Sequence, residues 1–220
     1  LLGSTGVKIV LFGAGGGTGR YVLDQALAAN HQVSAVVRKP SLLDMYQGRA
    51  QVVAGDVLKP ASWRATLTGA DAVISTIGIG AQKTPTTVYS DGTRHILAAM
   101  HAAGVRRLEV VTAALAEPHE NWARYGAFRA HVLFPILNRR FSATYDDMRR
   151  MEQVLRNSDA DWTSYRPPYL TDRAGHGRPR IAINTPLKGA RSLARSDLAA
   201  VMLDGLSDQR HIGAVIEVAD

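Results

Sequence analysis

The feature that most constrains the fold is an apolar run that passes directly into a glycine-rich loop. Residues 7–23 read VKIVLFGAGGGTGRYVL, with glycines at positions 13, 15, 16, 17 and 19. A short apolar, β-branched run followed by such a loop is typical of a buried strand that turns into a helix. The Gly13-x-x-Gly16-x-x-Gly19 spacing allows a tight turn, a close approach of the backbone to a pyrophosphate, and close helix–strand packing. The segment is therefore predicted to be a strand, a phosphate-binding loop and a helix.

The rest of the chain alternates apolar runs with helical patterns. The predicted strands are residues 8–12, 32–37, 51–55, 71–76, 107–112, 162–167, 180–184 and 214–219. The predicted helices are residues 20–29, 42–46, 61–67, 87–103, 145–156 and 196–206, with a loop and helical insertion before residue 144. Gly104 is expected to end the long helix, and Ser196 to cap the last one with Asp197 in its first turn. This order predicts an α/β fold: a single Rossmann-like domain over residues 1–220, with a doubly wound parallel sheet and helices on both faces.

Composition excludes several classes of function. The 220 residues contain no cysteine, so no thiol nucleophile or Cys-based metal site is possible, and the histidines show no metal-ligand spacing. Residues 1–6 are too short for a signal peptide, and no apolar run is long enough to span a membrane; a cytoplasmic protein without membrane contact is expected. The oligomeric state is left open, with a monomer as the working expectation.

The net charge of +7 allows three interpretations. The charge reflects a solvated basic surface, or it attracts a phosphorylated cofactor, or it attracts nucleic acid. The basic residues are scattered and lack interleaved aromatic residues, which argues against nucleic acid.

The strand ends predict which ligand the glycine loop holds. Gly19 is followed by Arg20 rather than by Lys and Ser or Thr, which argues against an NTPase phosphate loop. An NAD site usually has Asp or Glu after the second strand, whereas this chain has Arg38 and Lys39, 25 residues after the first glycine. A guanidinium at this position suits a 2′-phosphate, so NADP(H) is predicted in preference to NAD(H). Asp56 is either an acceptor for the adenine amino group or a turn residue.

The predicted cofactor-binding residues lie in the glycine loop and at the carboxyl ends of the strands, where ligands of open α/β sheets bind. They are Gly13, Gly15, Gly16, Gly17, Thr18, Gly19, Arg38, Lys39, Asp56, Val57, Thr76, Ile77, Gly78, Thr112, Ala113 and Pro167.

Several motifs together resemble a known family. GAGGGTG, VVRKP, GDV, STIG, PTTVYSDGTRHILAAMHAAGV and YRPPYL are similar to the atypical short-chain dehydrogenases/reductases, in particular to the NAD(P)H-binding flavin reductase / biliverdin-IXβ reductase family. The resemblance covers nearly the whole chain. It implies a Rossmann domain that uses NADPH to reduce flavins, tetrapyrroles or quinone-like compounds.

The catalytic positions depart from the family pattern. The Tyr-x-x-x-Lys pair of classical short-chain dehydrogenases is absent, and Tyr125-x-x-x-Arg129 and Tyr145-x-x-x-Arg149 are only near matches. Where the resemblance implies a serine and two histidines, this chain has Ala113, Met148 and Tyr169.

Two catalytic candidates remain. Tyr169 either faces the substrate or packs on the cofactor, and Thr112 either contacts the nicotinamide region or is structural. The insertion, residues 117–143, is either a substrate lid or a partner surface.

The sequence leaves competing functions. The first is an NADPH-dependent reductase that transfers hydride to a planar redox acceptor (flavin, quinone or tetrapyrrole-like). The alternative is a non-catalytic NADP(H)-binding redox sensor that regulates a protein partner, similar to NmrA-like proteins. A sugar-nucleotide epimerase is disfavoured because the chain is short and lacks the tyrosine–lysine pair.

Overall fold

The computed structural model describes residues 6–80 and 84–220. Most of residues 1–6, the segment expected to be too short for a signal peptide, therefore lies outside the described residues. The strands are β1 Lys8–Phe12, β2 Gln32–Val37, β3 Gln51–Ala54, β4 Ala72–Ser75, β5 Arg107–Val111, β6 Asp161–Arg166, β7 Tyr169–Thr171, β8 Arg180–Ile183, β9 Ser192–Ala194 and β10 Ala214–Ala219. The helices are α1 Gly17–Ala28, α2 Ser90–Ala103, α3 Phe134–Arg156 and α4 Arg195–Gly205.

Eight strands form one sheet in the order β3-β2-β1-β4-β5-β6-β10-β8. All neighbours are parallel except β8, which is antiparallel to β10. A small second sheet pairs β7 with β9 in parallel. The strand order reverses direction between β1 and β4, which makes this a Rossmann fold, as the sequence predicts.

Both faces of the large sheet are covered, because alternate side chains of each strand enter opposite cores. Ile9 and Leu11 pack with α1 and α4, whereas Val10 and Phe12 pack with α2 and α3. Apolar residues at successive positions are what a strand buried on both faces requires.

The predicted boundaries fail where local signals are weak. The predicted helices at 42–46 and 61–67 are 3₁₀ turns, Pro40–Tyr46 and then Pro60–Ser62 with Arg64–Leu67. Helix α2 begins at Ser90 rather than at residue 87, and Gly104 ends it in the left-handed conformation, as predicted. Helix α3 begins at Phe134 rather than at residue 145 and continues through an irregular Phe141.

The predicted cap of the last helix is wrong. Helix α4 begins at Arg195, its N-cap is Ala194, and the buried Ser196 hydroxyl has no hydrogen-bond partner among the described residues. Asp197 lies in the first turn, as predicted, but its carboxylate accepts the backbone N–H groups of His176 and Gly177. The short strand β9 directly precedes the helix and leaves no room for a capping turn.

The insertion forms a small core of its own above the sheet. It contains the 3₁₀ segment His119–Tyr125, the π-helical segment Arg129–Leu133 and the start of α3. Trp122, Tyr125 and Phe134 pack edge to face, with ring centroids 5.2–5.4 Å apart. None of the helices within residues 6–80 and 84–220 combines the length and hydropathy needed to cross a bilayer.

Candidate functional site

The glycine loop lies at the point where the strand order reverses, between the carboxyl ends of β1 and β4. Gly13 has a φ of 84°, and a Cβ atom there would lie 2.8 Å from the Thr76 carbonyl carbon and 2.9 Å from the Ile77 nitrogen. The Thr76 N–H and hydroxyl both donate to the Phe12 carbonyl, at 2.9 and 3.1 Å. Gly13, Thr76 and Ile77 therefore meet at one edge of the sheet, and no side chain fits between them.

The other two glycines of the motif differ in what surrounds them. A Cβ atom on Gly19 would overlap the carbonyl oxygen of Gly13, so only glycine lets α1 pack this close to the loop. Gly16 is exposed, and its Cβ atom would meet only that same oxygen, at 3.3 Å. Gly19 is thus needed for the fold itself, whereas the space beside Gly16 stays open. This open space is the cradle that a pyrophosphate needs.

The start of α1 carries partial positive charge that favours the binding of an anion. No side chain caps the helix among the described residues, and its first turn contains no acidic residue. The first-turn N–H groups of a helix have no intrahelical acceptor, and the helix dipole places positive charge there. Thr18 is buried within this turn, and a Cβ atom on Gly15 would lie 3.1 Å from Leu42 Cδ1 and 3.8 Å from Val37 Cγ1, on the β2 side. The residues present fit a phosphate group.

Four further predicted residues lie along the same edge of the sheet, after β2 and β3. Arg38 and Lys39 follow β2 and are exposed. After β3, Asp56 accepts the Leu58 N–H at 3.0 Å, which is the turn function that the sequence left as an alternative. The next residue, Val57, is buried against α2.

The two catalytic candidates lie in different surroundings. Thr112 is 4% exposed, and its hydroxyl lies 3.1 Å from both the Ser164 hydroxyl and the Tyr165 carbonyl, and 3.3 Å from Glu152 Oε1. The Thr112 hydroxyl is thus already hydrogen-bonded to other groups of the protein. Tyr169 is 75% exposed at the start of β7, just beyond the carboxyl end of β6.

The backbone from Thr112 to Ala114 keeps β5 paired with β6 beyond the last regular residue. The Thr112 N–H donates to the Tyr165 carbonyl at 2.8 Å, and the Ala114 N–H donates to the Pro167 carbonyl at 3.3 Å. Ala113 and Pro167 therefore lie on the same edge as the glycine loop.

A buried ionic network that the sequence analysis did not foresee ties the insertion to the sheet. Arg166, 3% exposed, pairs with Glu152 of α3 at 2.5 Å and with Glu117 at the start of the insertion. The Tyr125 hydroxyl donates to the Glu217 carboxylate of β10. A cavity of about 180 Å³ lies among these side chains. The signal in the sequence was an arginine, Arg166, at the end of a predicted strand of the sheet, since a buried arginine needs acidic partners.

Neither near match to the tyrosine–lysine pair forms a proton-transfer pair. Burial, and then the neighbouring Glu217, raise the pKa of Tyr125. Burial also raises the pKa of Tyr145. Arg149 directs its guanidinium to Asp146 at 2.5 Å and to the Leu115 carbonyl at 3.0 Å instead. Both tyrosines are thus poor proton donors to a substrate.

A cluster of His176, Asp197 and Asp220 has ligand atoms within 4.8 Å of one another. The His176 Nδ1 accepts the Arg178 N–H at 3.2 Å, which leaves a proton on Nε2, 3.6 Å from Asp220. The Asp197 carboxylate accepts hydrogen bonds from the backbone N–H groups of His176 and Gly177. The carboxylate of Asp197 thus has hydrogen-bond partners, whereas Asp220 Oδ1 is buried with none among the described residues.

Comparison with known proteins agrees with this geometry. A sequence model of a family described as NAD(P)H-binding matches residues 13–209. A curated relative, UPF0659 protein YMR090W of Saccharomyces cerevisiae, is 26% identical over 211 residues, covering 91% of this chain and 87% of the relative.

Two solved structures are also similar. The anaerobilin reductase ChuY of Escherichia coli O157:H7 is 25% identical with a TM-score of 0.79, and the match covers 97% of each chain. A short-chain dehydrogenase/reductase of Veillonella parvula in complex with NADP is 17% identical with a TM-score of 0.72, covering 97% of this chain and 94% of the other, and supports the fold alone.

Proposed function

The chain belongs to the NAD(P)H-binding family, and on that premise we propose that it is an NADPH-dependent reductase that transfers hydride to a planar redox acceptor. The acceptor is a flavin, a quinone or a tetrapyrrole-like compound. The observation that carries the proposal is the open space at Gly16, beside an uncapped helix start and at the same sheet edge as Arg38.

In this proposal the backbone holds the diphosphate and one side chain selects the cofactor. The first-turn N–H groups of α1 bind the pyrophosphate, and the exposed Arg38 pairs with the 2′-phosphate that distinguishes NADPH from NADH. Thr76, Ile77 and Gly78 line the nicotinamide ribose with backbone. When bound, NADPH supplies the hydride.

Three of the hydroxyl groups that could serve as proton donors are buried or already hydrogen-bonded, which favours acceptors that need no protein acid. Tyr125 and Tyr145 are held by burial in their protonated forms, and the Thr112 hydroxyl is engaged by Glu152 and Ser164. Reduction of a flavin or quinone depends on stacking and alignment, and solvent can protonate the product. Reduction of a simple ketone, by contrast, needs a positioned proton donor.

The acceptor site in this proposal lies beyond the carboxyl ends of β4, β5 and β6. Tyr169 borders it as an exposed aromatic surface, and the insertion at residues 117–143 covers it as a lid. The protein works as a monomer on a small molecule and needs neither nucleic acid nor a membrane.

The experiment is a titration of the purified protein with NADPH and NADH, followed by NADPH oxidation with FMN, riboflavin, a quinone and biliverdin in turn. We expect tighter binding of NADPH than of NADH and turnover with at least one acceptor. Failure to bind either dinucleotide would refute the proposal.

The second candidate function is a redox sensor that binds NADP(H) without turnover. The engaged Thr112 hydroxyl and the buried Tyr125 and Tyr145 favour it, because these three groups are poor proton donors to a substrate. Tight NADPH binding with no oxidation by any of the four acceptors would select this alternative.

A further inference from the structure

We propose that Arg195, the first residue of α4, is a further cofactor-binding residue that pairs with the pyrophosphate. This inference rests on the dinucleotide binding proposed above and adds a side chain from the far end of the chain to the glycine loop. None of the motifs in the sequence pointed to this residue as part of the site.

The position of the Arg195 side chain carries the inference. A Cβ atom built on Gly17, the first residue of α1, would lie 2.8 Å from Arg195 Nε, 3.0 Å from Cδ and 3.5 Å from Cζ. The guanidinium therefore lies against the first turn of α1. A side chain larger than glycine at position 17 would displace it.

The fold brings Arg195 to this edge of the sheet by a short route. Strand β7 follows the carboxyl end of β6, β9 runs parallel to β7, and α4 begins directly after β9. Gln25, in the second half of α1, donates to the Ser196 carbonyl at 2.9 Å. Helix α4 therefore begins beside the second half of α1, and the Arg195 side chain reaches from there to Gly17 at the start of α1.

The arginine is held but still accessible. Its Nη1 atom donates to Asp172 at 2.9 Å, and the side chains of Arg195 and Asp172 are 25% and 76% exposed. A guanidinium has five N–H donors, so one bond to Asp172 leaves a face for a bidentate anion. Asp172 thus orients the Arg195 guanidinium while other N–H donors of the guanidinium remain for an anion.

Electrostatics explains why the arrangement points to an anion. The start of a helix carries partial positive charge, so a cation against it is unfavourable. The first turn of α1 contains no acidic residue to compensate, and the partner Asp172 is mostly solvated. A phosphate between the guanidinium and the helix N–H groups would satisfy both.

The pyrophosphate is common to NADPH and NADH, and this sets the test. We expect Arg195→Gln to weaken the binding of both dinucleotides by about tenfold or more, as expected for loss of a charge-assisted hydrogen bond. Adenosine 2′-phosphate lacks the diphosphate and should bind equally to both proteins. The matched control is Arg173→Gln, which removes one exposed arginine next to Asp172 whose contacts are Ser192 and Asp220; it should leave both affinities unchanged.

Chemical modification of the wild-type protein gives a readout that does not depend on a variant folding. Phenylglyoxal labelling of Arg195, located by mass spectrometry, should be slowed by NADH and by inorganic pyrophosphate, whereas labelling of Arg173 should not change.

Four outcomes would overturn the inference. Unprotected labelling of Arg195, or equal dinucleotide affinities in Arg195→Gln and wild type, would remove Arg195 from the site while leaving the glycine loop in place. A loss confined to NADPH would place Arg195 at the 2′-phosphate instead. Wild-type protein that binds neither dinucleotide would refute the proposed function, and this inference with it.

Discussion

Among individual side chains, Arg38 is the one that we propose decides between NADPH and NADH. It is exposed at the end of β2, where an acidic residue would accept hydrogen bonds from the ribose hydroxyls of NADH. We expect Arg38→Asp to weaken NADPH binding by about 10- to 100-fold, because a charge-assisted pair is replaced by repulsion. NADH affinity, measured in the same titration, is the internal control and should change little. Equal losses for both dinucleotides would remove Arg38 from the 2′-phosphate role.

Glu109 predicts a pH dependence of stability that is independent of the cofactor. It is fully buried on β5, 2.7 Å from Arg107 Nη2 and 3.1 Å from the Tyr165 hydroxyl, and burial raises its pKa to about 8. The unfolded chain has an ordinary Glu pKa near 4.5. The native state therefore holds more protons between these values, and the free energy of unfolding falls as pH rises from about 4.5 to 8.

The test is urea denaturation at pH 6 and at pH 8.5. Wild type should be less stable at the higher pH, whereas Glu109→Gln, which mimics the protonated acid, should show a smaller change. A wild-type midpoint that rises with pH over this interval would contradict the assignment.

At the scale of secondary-structure elements, substitutions in the glycine loop and in α1 can distinguish an effect on folding from an effect on cofactor binding. A side chain at Gly16 meets only one backbone oxygen at 3.3 Å, and φ there is −83°, which any residue adopts. We expect Gly16→Val to fold with a nearly unchanged melting temperature and to lose affinity for both dinucleotides by about 100-fold, since it fills the pyrophosphate cradle.

The matched variant is Gly19→Ala, whose methyl group overlaps the Gly13 carbonyl oxygen. It should lower stability by about 1–3 kcal/mol or more, the usual cost of overpacking. If Gly16→Val binds NADPH like wild type while still folded, the cradle is not where the cofactor lies.

The insertion is held to the sheet by few polar contacts, so it can be loosened selectively. Tyr125→Phe removes the hydroxyl that donates to Glu217, leaving that buried carboxylate with the Leu187 N–H at 2.7 Å. We expect a loss of about 1–3 kcal/mol in stability. Hydrogen exchange should become faster within residues 117–143.

NADPH affinity of Tyr125→Phe should stay at the wild-type value, since the cofactor edge is formed by other elements. Acceptor KM should rise if the insertion is the lid. Unchanged exchange in residues 117–143 would mean that the Tyr125–Glu217 contact does not hold the insertion.

The elements with strong local signals were predictable and the others were not. Strands β1, β2 and β5 consist mainly of apolar residues (KIVLF, QVSAVV and RLEVV), which is sufficient to identify them. Strands β7 and β9 have three residues each, exist only by pairing with one another, and give no periodic signal. Helix α3 begins eleven residues before the predicted start at residue 145, because Pro135 is tolerated in the first turn of a helix.

The residues of the candidate site also fall into those that the sequence predicts and those that it does not. The loop glycines follow from spacing, because a turn and a close helix contact each require glycine locally. The partners of Thr112 and Arg166 were not predictable, since Glu152 and Glu117 are distant in sequence and are brought near by α3 and the insertion. Arg195 meets Gly17 across 178 positions for the same reason.

For the molecule as a whole, we propose that the fold separates cofactor binding from acceptor choice. The sheet edge at β1, β2 and β4 carries the glycine loop and Arg38, while the insertion and the exposed Tyr169 border the β5 and β6 side. Substitutions at the first edge should change dinucleotide affinity, and those at the second should change the acceptor. The proposed reductase activity requires both edges to work on the same bound cofactor.

The measurement we would make is a single-turnover reaction, in which the protein saturated with NADPH is mixed anaerobically with FMN or a quinone and the nicotinamide absorbance is followed. The proposed reductase predicts loss of one NADPH per acceptor reduced, at a rate proportional to protein concentration and absent in Gly16→Val. Protein that binds NADPH tightly but oxidises it no faster than free solution would contradict a reductase and leave a protein that only senses the cofactor.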